Sequence, residues 1–451
     1  MFKAIPEEHR KKFYIIFGIL CVIAAISGGT LAWYTWQSSN NTTVSFTVGG
    51  VDVTFDAGSD ITSSKLRPVS TKEVGVEKGY AIEKTITASS PVTAYLNLYL
   101  TLETLPNGLK EESFIWEIYK GTDLVGKGNF KNNNQGDKIT IASNQKIESA
   151  TSTYKLYTWI DGENYGNPET MQNQTFKFVL NADASDEKPF TGADYIESLL
   201  ASNPETMNND DPDGNVRYMG ADPNNYVSFN NELWRIIGVF DVASTNGGTT
   251  EKRLKIIRNE SLGNMAWNDR SVNDWSQASL QEYLNSEYYN SLIFDSQRLV
   301  DDTYWALGGC PPNSLASQSY ECERNTTVYN DGLTYWIGKI ALMYQSDFGY
   351  ATSGGTTVNR EVCLANRLSG WSNLSYADCH SNDYLYDSSK SQWLLTPYSN
   401  NSSAFHLSPP GYVGDGGVSL ARSFRPVLYL NWSIQITSGI GTMKDPFEIG
   451  L

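Results

Sequence analysis

The chain has 451 residues, a formal net charge of -16 and 12% aromatic residues, with a pI near 4.7. An acidic chain of this kind is a poor partner for a phosphate backbone, which sets nucleic acid aside as a ligand. The length leaves room for two or three domains of roughly 100–200 residues, each large enough for a sizeable core.

Residues 1–12 are a short basic head carrying Lys3, Arg10, Lys11 and Lys12. From 13 to 36 no Asp, Glu, Lys or Arg interrupts the chain, and a helix of roughly 20 apolar residues spans a hydrocarbon core. Positive charge on the N-terminal side alone predicts a cytoplasmic head and an exported remainder. Residues 13–26 fit the apolar core of a cleavable signal, with Thr30 and Ala32 as small residues before a cut, whereas 13–36 as a whole fits an uncleaved transmembrane anchor. Cleavage gives a secreted protein. Retention gives a cell-membrane protein with an extracellular ectodomain, whose membrane contact is the N-terminal helix.

Gly28, Gly29, Thr30, Leu31, Ala32, Trp33 and Tyr34 are followed, after a polar gap, by alternating residues 44–55. This short region resembles the amino terminus of camelysin and TasA-type exported surface proteins. The resemblance implies handling by a dedicated signal peptidase and, for some members, a place in extracellular matrix fibres of Gram-positive bacteria.

Residues 42–184 read as an all-β immunoglobulin-like sandwich. Val44, Phe46 and Val48, then Leu96, Leu98 and Leu100, Tyr154 and Leu156, and Phe176, Phe178 and Leu180 mark short strands between Gly, Asn and Asp turns. Asn107 with Gly108 and Asp161 with Gly162 are two such turns. With no histidine and no cysteine, this domain is expected to be a spacer, stalk or polymerising unit. The polar stretch 185–190 reads as a linker.

Residues 191–451 begin with a helix over 193–201. A hairpin over 225–240 turns at Asn230 and Asn231, and a strand covers 254–257. An amphipathic helix over 275–289 puts Leu280, Tyr283, Leu284 and Tyr288 on one face. Strands at 340–344 and 427–430 lie among Gly, Ser and Asn-rich loops. Trp234, Arg235, Ile236 and Ile237, then Trp275 with Leu280 and Leu284, then Trp393 to Pro397 and Phe424 to Leu428, occur in the same order in a set of uncharacterised bacterial surface domains. That set is distantly similar to the C-type-lectin-like fold shared with formylglycine-generating enzymes. The resemblance implies an α+β C-type-lectin-like domain with few strands and a binding face made by loops, and it names no ligand.

Cys310, Cys322, Cys363 and Cys379 allow three connectivities, of which the most local pairs Cys310 with Cys322 and Cys363 with Cys379. A loop of about 15 residues closed this way is worth roughly 3 kcal/mol in the entropic account. No Cys-x-x-Cys occurs and there are only 3 histidines, so a structural zinc is not expected.

Asn209, Asp211, Asp213 and Gly214 resemble the first half of a calcium-binding EF-hand loop. Gly220 stands where such a loop needs its Glu, so the sequence favours a self-satisfied turn over Ca²⁺, and no other cofactor is implied. Trp267, Asn268 and Asp269 spell the calcium triplet of sugar-binding C-type lectins, but the triplet stands too early in the domain and reads as coincidence. His380 and His406 read as structural or surface residues, and no catalytic constellation is apparent. Trp234, Trp275 and Trp393 lie within patterned elements and belong to the core. Loops 398–403 and 408–417, with Tyr398, Asn400, Asn401, Tyr412 and Asp415, are polar, aromatic and unpatterned, which makes them the expected ligand-binding rim. The leading expectation is a non-enzymatic bacterial cell-surface adhesin or ligand-binding ectodomain with a glycan or surface-protein ligand. A structural subunit of a matrix fibre is the alternative, and a surface enzyme acting on glycans or peptides lacks a supporting constellation.

Overall fold

A computed structural model describes residues 34–37, 44–48, 51–56, 61–63, 66–148, 151–163, 171 and 174–450. The chain divides into two compact units, one running to Pro189 and the other from Phe190.

The strands of the first unit are β1 (Tyr34–Gln37), β2 (Val44–Val48), β3 (Val51–Asp56), β4 (Ile61–Ser63), β5 (Pro68–Val69), β6 (Ile82–Ser89), β7 (Ala94–Thr104), β8 (Phe114–Lys120), β9 (Asp123–Asn129), β10 (Lys138–Ile147), β11 (Thr151–Asp161) and β12 (Phe176–Ser185). One sheet has the order β1-β12-β7-β10 with β4 also on β12, and the other the order β2-β3-β6-β11-β8-β9 with β5 on β11. The cause is local. In β7, Leu96, Leu98, Leu100 and Leu102 are buried while the residues between them are not, the period-two pattern of a strand with one face on a core. Those leucines pack with Trp116, Ile118, Tyr154 and Leu156 of the other sheet. Phe114, Phe130, Phe176 and Phe178 close one part of the core with ring centroids 4.6–6.2 Å apart.

The β-sandwich is present, and it begins earlier than position 42. β1 sets Tyr34 opposite Ala184 and Gln37 opposite Asn181, so Tyr34 and Trp36, expected at the end of an apolar helix over 13–36, lie in a strand. The physical reason is that Tyr, Thr and Trp suit a pleated strand as well as an apolar span. The rest of the expected signal or transmembrane helix, 13–33, and the basic head lie outside the described residues. Among the described residues no helix is long and apolar enough to cross a membrane.

The second unit continues with β13 (Met207–Asn208), β14 (Val216–Tyr218), β15 (Tyr226–Phe229), β16 (Glu232–Ala243), β17 (Thr250–Arg258), β18 (Asn264–Ala266), β19 (Thr303–Ala306) and β20 (Tyr335–Gly338). It closes with β21 (Ile340–Ala341), β22 (Gln392–Pro397), β23 (Ser403–Ser408), β24 (Tyr412–Gly417), β25 (Ala421–Ser423), β26 (Val427–Tyr429), β27 (Gln435–Ser438) and β28 (Glu448–Gly450). Where few strands were expected, a seven-stranded sheet runs β13-β14-β16-β17-β26-β21 with β15 on β16, and a five-stranded sheet runs β18-β25-β22-β23-β24. Three short helices matter below: α1 (Gly192–Leu199), α2 (Ala316–Glu323) and α3 (Gln345–Ala351). A capping box starts α1, since Thr191 Oγ1 accepts from Asp194 N at 3.2 Å and Asp194 Oδ2 accepts from Thr191 N at 2.9 Å.

The β15–β16 hairpin turns through Asn230 and Asn231 at φ 59° and 57°, left-handed values that asparagine tolerates in a two-residue hairpin loop. The helix expected over 275–289 is instead segmented into a 3₁₀ turn Trp275–Gln277, an α turn Ser279–Tyr283, a π turn Leu284–Tyr288 and a last turn Tyr289–Ser291. Leu280, Leu284 and Tyr288 still reach the core. Within the π turn Asn285 ties to the segment at Ile340, donating to Ile340 O at 2.8 Å and accepting from Ile340 N at 3.0 Å. The strand expected over 340–344 shortens to β21 because Tyr344 caps α3, its N–H donating to Asp347 Oδ2 at 2.9 Å. Trp234, Trp267, Trp275, Trp305, Trp371 and Trp393 are fully buried, and disulfides join Cys310 to Cys322 and Cys363 to Cys379.

Candidate functional site

The acidic turn after β13 is closed upon itself. Asp211 Oδ1 accepts from the N–H groups of Asp213 and Asn215 at 3.2 and 2.8 Å, and its Oδ2 accepts from Asn215 Nδ2 at 2.9 Å and Arg217 Nε at 2.7 Å. Asp213 Oδ2 accepts from the Tyr320 hydroxyl at 2.5 Å, and Asn209 is exposed. Both Asp211 oxygens are thus taken up by internal donors, Asp213 is bonded to Tyr320, and the cation that Asp211 faces is a guanidinium. Among the described residues no group of three or more His, Cys, Asp or Glu is placed to hold a metal ion.

Behind that turn lies a buried ionic cluster. Arg217 also reaches Asp347 Oδ1 at 3.0 Å, and Lys255 pairs with the other oxygen of Asp347. Burial pushes the Lys255 ammonium down to about 8, against the pull of Asp347. Glu323, at the end of α2, accepts from Ser346 N and Thr396 Oγ1 at 3.0 Å each and from the Ser346 hydroxyl. Burial pushes its carboxyl up to about 7, although Arg324 and Ser346 pull the other way. Perturbed groups of this kind mark functional sites when they line a cleft. Here the Arg217, Lys255, Asp347 and Glu323 side chains are at most 2% exposed and join β14, β17, α2 and α3 inside the unit.

His380 and His406 pack against aromatic rings. His406 is buried edge-on to Trp393 at 6.0 Å, and burial followed by Arg422 lowers its pKa to about 4. His380 lies edge-on to Tyr386 at 4.9 Å, with Ser381 Oγ 3.5 Å from its Nδ1. A Cβ on Gly411 would fall 2.2 Å from the His380 ring, and φ there is +81°, so glycine is required on both counts.

The expected rim splits in two. β23 and β24 pair in register, Ser403 opposite Gly417 and Ser408 opposite Tyr412, so Tyr412 stands roughly 17 Å along the strands from the 398–402 loop. Tyr398, Asn400 and Asn401 stay together, Tyr412 goes to the opposite end, and Asp415 sits exposed in mid-strand opposite Phe405. Most of 408–417, expected as a loop, is strand. Its glycines hide it from propensity, yet they permit close packing: a Cβ on Gly416 would lie 2.7 Å from the Arg422 guanidinium. Tyr398 is itself stacked on Phe405, ring centroids 5.5 Å apart at 13°.

What holds the loop end is Asn273, a residue that sequence reasoning passed over. Its buried Nδ2 lies 2.9, 2.8 and 2.9 Å from the carbonyl oxygens of Tyr398, Asn401 and Ser403. Two neighbours in the same segment do similar work. Asn268 donates to Val272 O at 2.8 Å and its N–H to Val418 O at 3.0 Å, while Asp274 Oδ2 accepts from Gln277 Nε2 at 2.9 Å and Leu333 N at 3.4 Å. One polar segment thereby gathers the 398–403, 417–420 and 329–334 loops. Around it Val272, Leu333 and Leu420 are 42%, 52% and 54% exposed. The Cys310–Cys322 disulfide borders the same end, since Cys310 N donates to Pro397 O and Ser399 N to Cys310 O, both at 3.0 Å. Beside it lies a cleft of about 500 Å³ lined by Pro311, Asn313, Ser314, Gln318, Glu321 and Asn325. The one available signal was the Asn, Asp and Ser density of 268–276, which marks a turn rich in side-chain to backbone bonds without saying which loops it would hold.

No family model matches the chain, and no curated protein matches it. Among solved structures it is similar to the tandem CBM51 modules of a family 98 glycoside hydrolase from Streptococcus pneumoniae, at 10% identity over 49% of this chain and 65% of that one, with a TM-score of 0.17. It is also similar to truncated AlyQ with CBM32 and alginate lyase domains, at 16% identity over 50% and 54%, with a TM-score of 0.15. Vicilin from hazelnut, Corylus avellana, is matched at 12% identity over 38% and 42%, with a TM-score of 0.11. The chain spans less than two thirds of the length of each of these structures.

Proposed function

We propose that this is a non-enzymatic bacterial cell-surface protein, exported through its N-terminal apolar segment. In this reading the second unit is a C-type-lectin-like binding module that meets its ligand with the loop end built from residues 268–274, 329–334, 398–403 and 417–420. The observation that carries the reading is the Asn273 amide gathering three carbonyls from one loop. A loop fixed before the ligand arrives loses less entropy on binding, and three exposed aliphatic side chains around a fixed backbone supply apolar area to bury. The two disulfides suit an oxidising location outside the cell.

The test is binding of the purified full-length protein to arrays of glycans and extracellular-matrix proteins, with calcium and with chelator. The expected result is saturable, chelator-insensitive binding of at least one ligand that weakens about tenfold in Val272→Asp and in Leu420→Asp, a loss of roughly 1.4 kcal/mol, and is unchanged in Leu374→Ser on an exposed 3₁₀ turn. A folded protein that binds nothing on either array, or none of whose ligands is weakened by either Asp substitution, overturns the reading.

A further inference from the structure

A second surface of the same unit has the make-up of a ligand platform. β19 and β20 form a two-stranded ribbon in which Tyr304 lies opposite Ile337, Trp305 opposite Trp336 and Ala306 opposite Tyr335. Strand alternation sends Trp305 into the core, where its Nε1 donates to Gly338 O at 3.0 Å, with Trp336 on the same side. Tyr304, Tyr335 and Ile337 fall on the other face. Both tyrosines are partly exposed, and their rings stack with centroids 5.2 Å apart at 17°, while Ile337 is 40% exposed. At the end of the ribbon Lys339 Nζ lies 3.0 Å from Asp302 Oδ1, the carboxylate side chain being 58% exposed.

We propose that this ribbon binds a neutral carbohydrate, with a pyranose ring lying against the stacked tyrosines and its hydroxyls hydrogen-bonded to Asp302 and Lys339. The size of the face favours that occupant. Two strands of four residues cover about 13 by 10 Å, far below the ~800 Å² per partner of a stable protein interface. The charge favours it too. Asp302 and Lys339 together present acceptors and donors with no net charge, which matches polyol hydroxyls and gives a polyanion no advantage. The outer side of the stacked pair, beside these charged groups, is complementary to a sugar, whose ring faces are apolar C–H and whose rim is hydroxyl. The ribbon follows directly on the 329–334 loop, and the proposal does not rest on ligand binding by the loop end.

The experiment is isothermal titration of the full-length protein with neutral hexasaccharides of glucose, mannose, xylose and N-acetylglucosamine. The expected result is that at least one binds, and that Tyr304→Ala and Tyr335→Ala each weaken it tenfold or more. Tyr335→Phe, which keeps the ring and the packing, is expected to bind within about twofold of the parent, and Asp302→Asn to weaken binding severalfold without loss of the fold. Leu374→Ser, an exposed position that belongs to neither surface, is expected to leave the titration unchanged. No heat with any hexasaccharide overturns the proposal, as does binding that survives both Ala substitutions in folded protein. Binding lost in Val272→Asp but kept in both Ala variants also overturns it, and assigns the sugar to the loop end instead.

Discussion

Arg217 Nε lies 2.7 Å from Asp211 Oδ2 with both side chains buried. The guanidinium thus fills the place that a calcium ion would take in an acidic turn, and its second arm runs inward to Asp347. Removing one partner of a buried ion pair leaves the other uncompensated, at a cost of roughly 3–5 kcal/mol. Arg217→Met is therefore expected to destabilise the second unit by that amount in urea denaturation, and a change below about 1 kcal/mol would show that Asp211 and Asp347 find other partners.

The same geometry predicts indifference to calcium. With Asp211 accepting from two backbone N–H groups, an amide and a guanidinium, an added ion would have to displace internal donors. The melting temperature is expected to be equal in calcium and in chelator. A rise with calcium would mean that the turn opens to bind it.

Glu323 makes stability depend on pH. Burial raises its pKa from 4.5 to about 7, so between those values the folded state holds a proton that the unfolded state has lost. Its contribution is fully present below about pH 4.5 and is lost as pH rises through about 7, with a span on the order of 3 kcal/mol. Glu323→Gln, which cannot ionise, is expected to flatten the stability profile between pH 5 and 8. A variant whose profile overlays the parent would sink the assignment.

Asn273→Ala is expected to release the 398–403 loop while leaving the core in place. The three carbonyls it now serves can turn to water, so the stability cost is about 1–2 kcal/mol. Hydrogen exchange should accelerate in that loop and scarcely change in β16 and β17, and ligand binding should weaken. Uniform acceleration across the unit would mean that Asn273 supports the fold and not the loop.

The disulfide between Cys363 and Cys379 closes a separation of 16 residues. Replacing both cysteines by serine is expected to cost about 3 kcal/mol through the added freedom of the unfolded chain. A denaturation midpoint unchanged under reducing conditions would contradict that.

The sequence by itself determined what depends on near neighbours. Alternation placed Leu96 to Leu102 on one face of β7, paired asparagines made the turn between β15 and β16, and the cysteine spacing pointed to local disulfides. It also placed Trp234, Trp275 and Trp393 in the core. These features follow from strand period, turn torsion and loop length, all read within a few residues. The tertiary structure alone decided that Asp211 would face Arg217 and share it with Asp347, and that Asn273 would take carbonyls 125, 128 and 130 residues away. It alone parted Tyr412 from Tyr398 by turning an apparent loop into β24, and segmented the helix after Trp275 where Asn285 bonds to Ile340. A polar side chain's local pattern states how many hydrogen bonds it can make, and only the folded chain states with whom.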